Sequence, residues 1–212
     1  MKPIKSILIL TILCAPALAS AQGYGPGGPG YQGSTVPGGF HNRAGRLIFG
    51  FGLGLGGMSD NGSAITTCDN CDFKPLAGEF DIHLGGMLSP RFGLMFEGQA
   101  NVQTIHSSFF DGDTTLTQGA AMLAGQYWLI PQLWIKGGIG FANLQLQDAD
   151  AFGVFAASQP ENGTALMGAV GFELLSSQFF SVDLQGRLIN GSYKGLDDNV
   201  TALSIGVGLN WY

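Results

Sequence analysis

The sequence predicts an all-β protein, an eight-stranded antiparallel up-and-down transmembrane β-barrel. Three observations carry this prediction: an N-terminal export signal, a low charge content, and apolar residues that alternate with small or polar ones from about residue 46 onwards. Only 11% of the 212 residues are charged, less than half of the ~25% usual in soluble proteins. A soluble domain needs more surface charge, yet beyond the signal no apolar run is long enough for a membrane-spanning helix.

The N-terminus has the three parts of a signal peptide. Lys2 and Lys5 form a basic region, residues 7–13 form an apolar core, and Ala19-Ser20-Ala21 is a small-residue cleavage site. We therefore expect the mature chain to begin at Gln22.

The mature chain divides into two parts. Residues 22–45 are rich in Gly and Pro and have little apolar surface to bury, which predicts a flexible tail. The domain prediction is therefore a signal peptide over 1–21, a tail over 22–45 and a barrel over 46–212.

Eight segments of the barrel region show the period-two repeat of a β-strand. In chain order, the apolar faces hold Leu47, Phe49, Phe51, Leu53 and Leu55; Leu76, Phe80, Ile82 and Leu84; Phe92, Leu94, Phe96, Ala100 and Val102; Leu133, Ile135, Ile139 and Phe141; Leu166, Val170, Phe172 and Leu174; Phe180, Val182, Leu184 and Leu188; and Leu203, Ile205, Val207, Leu209 and Trp211. The fourth segment, about 115–128, has a weak phase that leaves its two faces unassigned.

The predicted connections alternate in length. Tight turns fall near 89–90, 130–132 and 176–177, and longer loops near 57–75, 106–114, 147–163 and 190–199. In an up-and-down barrel the tight turns share one rim with both termini, which is the arrangement of short periplasmic turns and long external loops. Eight aromatic residues near that rim are expected at the headgroup level of a bilayer: Phe92, Tyr127, Trp128, Trp134, Phe179, Phe180, Trp211 and Tyr212.

Alternation alone does not say which face points outward, because a soluble ligand-binding barrel has the same period. The second face is mostly Gly, Ala, Ser, Gln and Met, which suits the narrow interior of an eight-stranded barrel. Its charged members are predicted to form an interior network: Glu79, Asp81, His83, Glu97, Lys136, Glu173, Asp183 and Arg187. Because buried charges must be paired, we expect Lys136 and Arg187 each to lie among the carboxylates and the lumen to be plugged.

The barrel region resembles the small bacterial outer-membrane barrels of the OmpA/OmpX transmembrane type. The resemblance covers about residues 46–212, and it includes the strand-turn-strand run from Gln126-Tyr127-Trp128 through Pro131-Gln132-Leu133-Trp134 to Gly140. It implies insertion by the barrel-assembly machinery and a monomer. The C-terminal residue departs from the pattern of this family. The apolar phase of the last strand ends at Trp211, so the final aromatic residue, Tyr212, is one position out of phase.

Two short motifs are candidates for chemistry. Cys68 and Cys71 lie in the first long loop and are predicted to form a loop disulfide; a metal site with neighbouring aspartates and a redox-active pair are the alternatives. His106 and Ser108 have the spacing seen in some lipid-A-modifying barrel hydrolases, but no acidic partner is evident at strand spacing.

The sequence therefore favours a non-enzymatic integral outer-membrane protein with a structural or surface-interaction role through its long loops. We expect no catalytic residue, cofactor or metal. Expected partners are outer-membrane lipid and a surface ligand of the loops; nucleic acid is not expected, because the net charge is −6. The alternatives are an outer-membrane lipid-modifying hydrolase and a soluble periplasmic barrel that binds a small apolar ligand.

Overall fold

The computed structural model describes residues 35–36, 39–65, 76–107, 112–149, 155–157, 160–193 and 199–212. Eight long strands make up most of this part of the chain. They are β1 (Leu47–Asp60), β2 (Ala77–Ser89), β3 (Phe92–Ser107), β4 (Gly112–Trp128), β5 (Leu133–Ala149), β6 (Glu161–Ser176), β7 (Phe180–Tyr193) and β8 (Asn199–Trp211). No helix in the described ranges is long and apolar enough to cross a bilayer.

The strands form one closed barrel. Each strand pairs antiparallel with the next, and the ring closes where β8 pairs with β1 from Val200↔Asp60 to Trp211↔Phe49. Closure gives every strand two neighbours, so the barrel has no open sheet edge. The predicted all-β, eight-stranded antiparallel up-and-down barrel is confirmed.

Three short strand pairings extend this framework. Ser63–Ala64 pairs with the end of β1, and Phe155–Ala157 pairs with the end of β5. Before the barrel, Thr35–Val36 pairs with Phe40–His41 in a separate two-stranded sheet.

The strand ends define two rims. The tight-turn rim holds the connections from β2 to β3, β4 to β5 and β6 to β7, together with the start of β1 and the end of β8. The opposite, loop rim holds the four longer connections. A β-bulge in β6 between Glu173 and Leu175 turns both Leu174 and Leu175 outward, while Glu173 remains buried.

The faces of β4 are set by its pairing, although its sequence phase is weak. Leu116, Gln118, Met122, Ala124, Gln126 and Trp128 are buried inside the barrel, and Leu123 and Tyr127 are exposed on the outside. The interior therefore contains both apolar and polar layers. The phase is hard to see in the sequence because small residues occupy both sides and the apolar Leu116 and Met122 face inward.

Residues 39–46 form a strap across the tight-turn rim, although the sequence assigns most of them to the flexible tail. Gly45 N donates to Met87 O (2.8 Å), and Met87 N donates to Arg46 O (2.8 Å). The Arg43 side chain enters the barrel mouth and is buried. The reason for this difference is a buried carboxylate on β6, far along the chain, that binds Arg43.

Candidate functional site

The barrel wall has a polar face toward the lumen and an apolar face toward the outside. On β2, Glu79, Asp81 and His83 are buried, whereas Phe80 and Ile82 are more than 40% exposed. The same alternation recurs on every strand, so large apolar side chains cover the outside all the way round. Exposed apolar surface on this scale is unsuited to water and matches the lipid-facing band of a transmembrane barrel.

The centre of the lumen is built around Arg187 on β7. Its Nη1 lies 2.9 Å from Asp81 Oδ2, its Nε lies 3.7 Å from Glu79 Oε1, and its Nη2 contacts Glu97. Lys136 Nζ on β5 lies 3.1 Å from the other oxygen of Glu97. Two cations thus lie among three carboxylates, each of which belongs to β2 or β3.

A second group links this centre to the tight-turn rim. His83 lies 3.3 Å from Asp81 Oδ1 through Nδ1 and 2.7 Å from Asn210 Oδ1 through Nε2. Asn210 Nδ2 donates to Asp183 Oδ2 (2.7 Å), which also accepts from Trp134 Nε1 (3.0 Å). These contacts form a continuous polar chain across β2, β8, β7 and β5.

The tight-turn mouth is closed by a third group, centred on Glu173. Arg43 binds this carboxylate with both ends of its guanidinium, Nη1 to Oε1 at 2.7 Å and Nη2 to Oε2 at 3.1 Å. Trp128 Nε1 donates to the same Oε1 (2.8 Å). The guanidinium carbon of Arg43 lies 3.8 Å from the Tyr212 ring centroid, so the cation also stacks on an aromatic face.

Electrostatics at this mouth keep Arg43 charged. Burial alone would lower the pKa of Arg43, but the hydrogen bond to Glu173 and nearby negative charge give a net increase. Burial also raises the pKa of Tyr212, against the opposing effect of Arg43, so the phenol stays neutral. The mouth therefore holds a charged guanidinium, bound to Glu173, beside a neutral phenol.

The loop side of the lumen is closed by amide and phenol groups. Gln118 Nε2 donates to Tyr193 OH (3.0 Å) and to Val200 O (3.0 Å). Gln103 accepts from Met58 N and donates to Ile65 O. Side chains thus fill the barrel at both ends as well as at its centre.

The buried charges do not balance within the described residues. There are five acidic side chains (Glu79, Asp81, Glu97, Glu173 and Asp183) but only three Lys or Arg side chains (Arg43, Lys136 and Arg187). Neither Glu79 oxygen has a hydrogen-bond partner among the described residues, and its nearest cation is the Arg187 Nε at 3.7 Å. Of the three carboxylates around Arg187, Glu79 therefore has the weakest ion pair.

The structure brings together all eight residues of the interior network that the sequence predicts. Cys68, Cys71 and Ser108 lie outside the described residues, and only the backbone of His106 is described, in register with Asp113. Within the described ranges no group of three or more His, Cys, Asp or Glu residues could hold a metal ion.

The aromatic rim is only partly as expected. Tyr127, Phe179 and Trp211 are exposed on the outside, but Trp128 and Trp134 are buried in the lumen, where their indoles donate to carboxylates. The expectation that these two rings lie at the headgroup level is therefore wrong. The phase of β5 already puts Trp134 on the interior face, and a buried carboxylate within reach of each indole favours that position.

Arg43 is the member of the site that sequence reasoning missed. It is the one charged residue between positions 22 and 45, and the predicted interior has more carboxylates than cations. These two facts together are the signal for its role. They do not identify Glu173 as the partner, because that pairing joins residues 130 positions apart.

The fold and site define a small, closed transmembrane β-barrel with a polar, side-chain-filled lumen. Solved structures of similar fold include Ail, the attachment invasion locus protein of Yersinia pestis, bound to the heparin analogue sucrose octasulfate (TM-score 0.55, 11% identity, 78% of this chain and 97% of that chain). Neisserial surface protein A is also similar (TM-score 0.51, 12% identity, 78% of this chain and 95% of that chain). No protein-family model and no curated protein matches the sequence. These similarities are to outer-membrane barrels, and at such identities they establish the fold.

Proposed function

We propose that this chain is an integral protein of the bacterial outer membrane, with a closed lumen and a non-enzymatic structural or surface-interaction role. The observation that carries the proposal is the two-faced wall, with apolar residues outside and a charged network inside. Such a wall has its free-energy minimum in a bilayer, because the charges are paired internally and the apolar face meets hydrocarbon. The fold shared with outer-membrane barrels supports the same location.

Heat modification on a gel tests the membrane barrel directly. A closed strand ladder leaves no edge at which SDS can begin to unfold the protein. We expect the detergent-purified, unboiled protein to migrate differently from the boiled one and to show β-type circular dichroism. Solubility without detergent, with no shift on boiling, would instead favour the soluble ligand-binding barrel.

The loop rim is the surface that is available to partners outside the cell. The four segments between strands at this rim, 61–76, 108–111, 150–160 and 194–198, contain six aspartates and two lysines. An acidic surface repels polyanions and attracts cationic partners. We therefore propose that these loops favour a cationic partner. This differs from the Ail complex, in which the bound molecule is a sulfated sugar.

The partner class can be tested on the protein in uncharged nanodiscs at low salt. We expect binding of polylysine, weakened by added salt, and no binding of sucrose octasulfate. Binding of the sulfated sugar would contradict the proposed preference without affecting the barrel assignment.

We also propose that the protein is a monomer that the barrel-assembly machinery inserts. Trp211 supports insertion by this machinery, since it is a lipid-facing aromatic residue at the end of β8. The mass of the protein in detergent, corrected for bound detergent, tests the monomer. Loss of membrane insertion in a Trp211→Ala variant tests whether the barrel-assembly machinery recognises this C-terminal aromatic residue.

A hydrolase remains the rival function, with His106 and Ser108 as the residues to test. The proposal expects lipid A from cells that produce His106→Ala to match lipid A from cells that produce the wild type. A changed acylation pattern would favour the enzyme.

A further inference from the structure

The tight-turn mouth of the lumen is closed by a side chain from outside the barrel wall. We propose that Glu173, Trp128 and Tyr212 form a guanidinium-binding site, and that Arg43 is its tethered ligand. The strap 39–46 would then act as a latch that closes the lumen on this side. This inference concerns the mouth alone and goes beyond the proposed function.

The binding site is built by the barrel itself. Glu173 is fully buried, and it is held by Trp128 Nε1 at 2.8 Å and by the hydroxyl of Ser176. The Ser177 carbonyl adds an acceptor for Arg43 Nη2 at 2.6 Å. A planar carboxylate, a carbonyl and an aromatic face together match the shape and charge of a guanidinium.

Arg43 supplies the charge that this site needs. Within the part of the chain that the structure describes, it is the one cation paired with Glu173. The other side chains that donate to Glu173 come from Trp128, Ser176 and Tyr212, all neutral donors. Without Arg43, Glu173 would be a buried carboxylate with no counter-charge in direct contact, a state that folded proteins avoid.

The strap is anchored on both sides of the inserted arginine. On one side, Gln178 Nε2 donates to Asn42 O (3.3 Å). On the other, Gly45 and Arg46 exchange backbone hydrogen bonds with Met87 of β2. These anchors hold Arg43 over the mouth and make its binding intramolecular, which raises its effective concentration.

The turn between strap and barrel depends on a glycine. Gly45 has a φ of +76°, a conformation that L side chains rarely adopt. Among the described residues, no heavy atom beyond its chain neighbours lies within 4 Å of the position where a Cβ would stand, so the constraint comes from the backbone alone. The sequence thus contains both the ligand, Arg43, and the turn that returns the chain to β1.

Chemical rescue of an Arg43→Ala variant tests the latch on the full mature chain in detergent. The variant should lose stability, with the midpoint of heat modification lowered by roughly 5–10 °C. Added methylguanidinium at millimolar concentration should restore several degrees of this loss, whereas urea at equal concentration should not. Arg46→Ala is the matched control, because Arg46 belongs to the same strap but lies over the Phe179 ring rather than on a carboxylate.

A second variant distinguishes site binding from a general solvent effect. In Arg43→Ala/Glu173→Gln the receptor carboxylate is absent, so methylguanidinium should have no effect. Equal rescue in the single and double variants, or none in either, would overturn the proposal. If Arg43→Ala does not refold unaided, the refolding yield with and without methylguanidinium gives the same comparison.

Discussion

A Cβ atom on Gly54 would lie 2.6 Å from Oε2 of Glu79, the residue directly opposite it on β2. The same relationship joins Gly52 to Asp81 and Gly50 to His83. The interior glycines of β1 therefore leave the space in which the polar side chains of β2 lie. The glycine-rich first strand and the charged second strand form one complementary unit.

Replacing one of these glycines should disturb the charge network. A Cβ on Gly52 would overlap both Asp81 Oδ2 and Gln185 Nε2. Because Asp81 is also bound to Arg187, it has little freedom to move. We expect Gly52→Ala to lower the free energy of unfolding by about 1–3 kcal/mol, the usual cost of overpacking.

The matched control lies five residues further along the same strand. Gly57 faces outward, and in the part of the chain that the structure describes no heavy atom beyond its chain neighbours lies within 4 Å of its Cβ position. Gly57→Ala should therefore leave stability nearly unchanged. Urea unfolding of both variants in lipid vesicles measures the difference. Equal effects of the two substitutions would mean that β1 needs glycine for its backbone rather than for the space that it leaves.

The carboxylates of the lumen should differ in their contribution to stability. Glu97 contacts both Arg187 and Lys136, so Glu97→Gln removes the charge shared by two buried cations and should cost about 3–5 kcal/mol. Glu79 has the weakest ion pair of the three carboxylates around Arg187, in a network with surplus negative charge, so Glu79→Gln should change stability by less than about 1 kcal/mol. Equilibrium unfolding of the two isosteric variants checks this order, and the reverse order would refute the charge assignment.

His41 should report the charge of Arg43. Partial burial and then the positive charge of Arg43 lower the pKa of His41 below 6.5, against the opposing effect of Glu173. Because protonation of His41 is disfavoured in the folded chain, its contribution to stability decreases as the pH falls through 6.5. NMR titration should find the pKa of His41 below that value in the wild type and higher in Arg43→Gln. An unchanged pKa in the variant would place the two side chains further apart than the structure does.

A charged substitution on the outer face should distinguish a wall that contacts lipid from a wall that contacts water. Ile205 is 68% exposed near the middle of β8. In a bilayer, Ile205→Arg should cost about 2–4 kcal/mol, while Leu47→Arg, at the rim, should cost about 0–1 kcal/mol. Urea unfolding in vesicles measures both. If neither substitution had an effect, this face would be in contact with water.

Much of the fold follows from local pattern. A β-strand repeats every two residues whatever its surroundings, so the alternation on β2 separates Glu79, Asp81 and His83 from Phe80 and Ile82 in the sequence itself. The same two-residue repeat separates the two faces of seven strands. With the apolar face assigned to the outside, the charged residues of the second face form the predicted interior. On β4 small residues lie on both faces and apolar side chains such as Met122 face inward, so the local pattern does not separate the two faces there.

What the sequence by itself determined is thus the number of strands, the apolar faces of seven of them and the charged interior residues other than Arg43. Only the tertiary structure decided the register between β8 and β1, the space that the β1 glycines leave for the β2 side chains, the inward orientation of Trp128 and the ion pair between Arg43 and Glu173. The reason is that strand periodicity is set by each residue's own backbone, whereas register and ion pairing depend on groups far apart in the chain. Arg43 illustrates the difference: its sequence context predicts a flexible tail, and a buried carboxylate 130 residues later holds it inside the barrel.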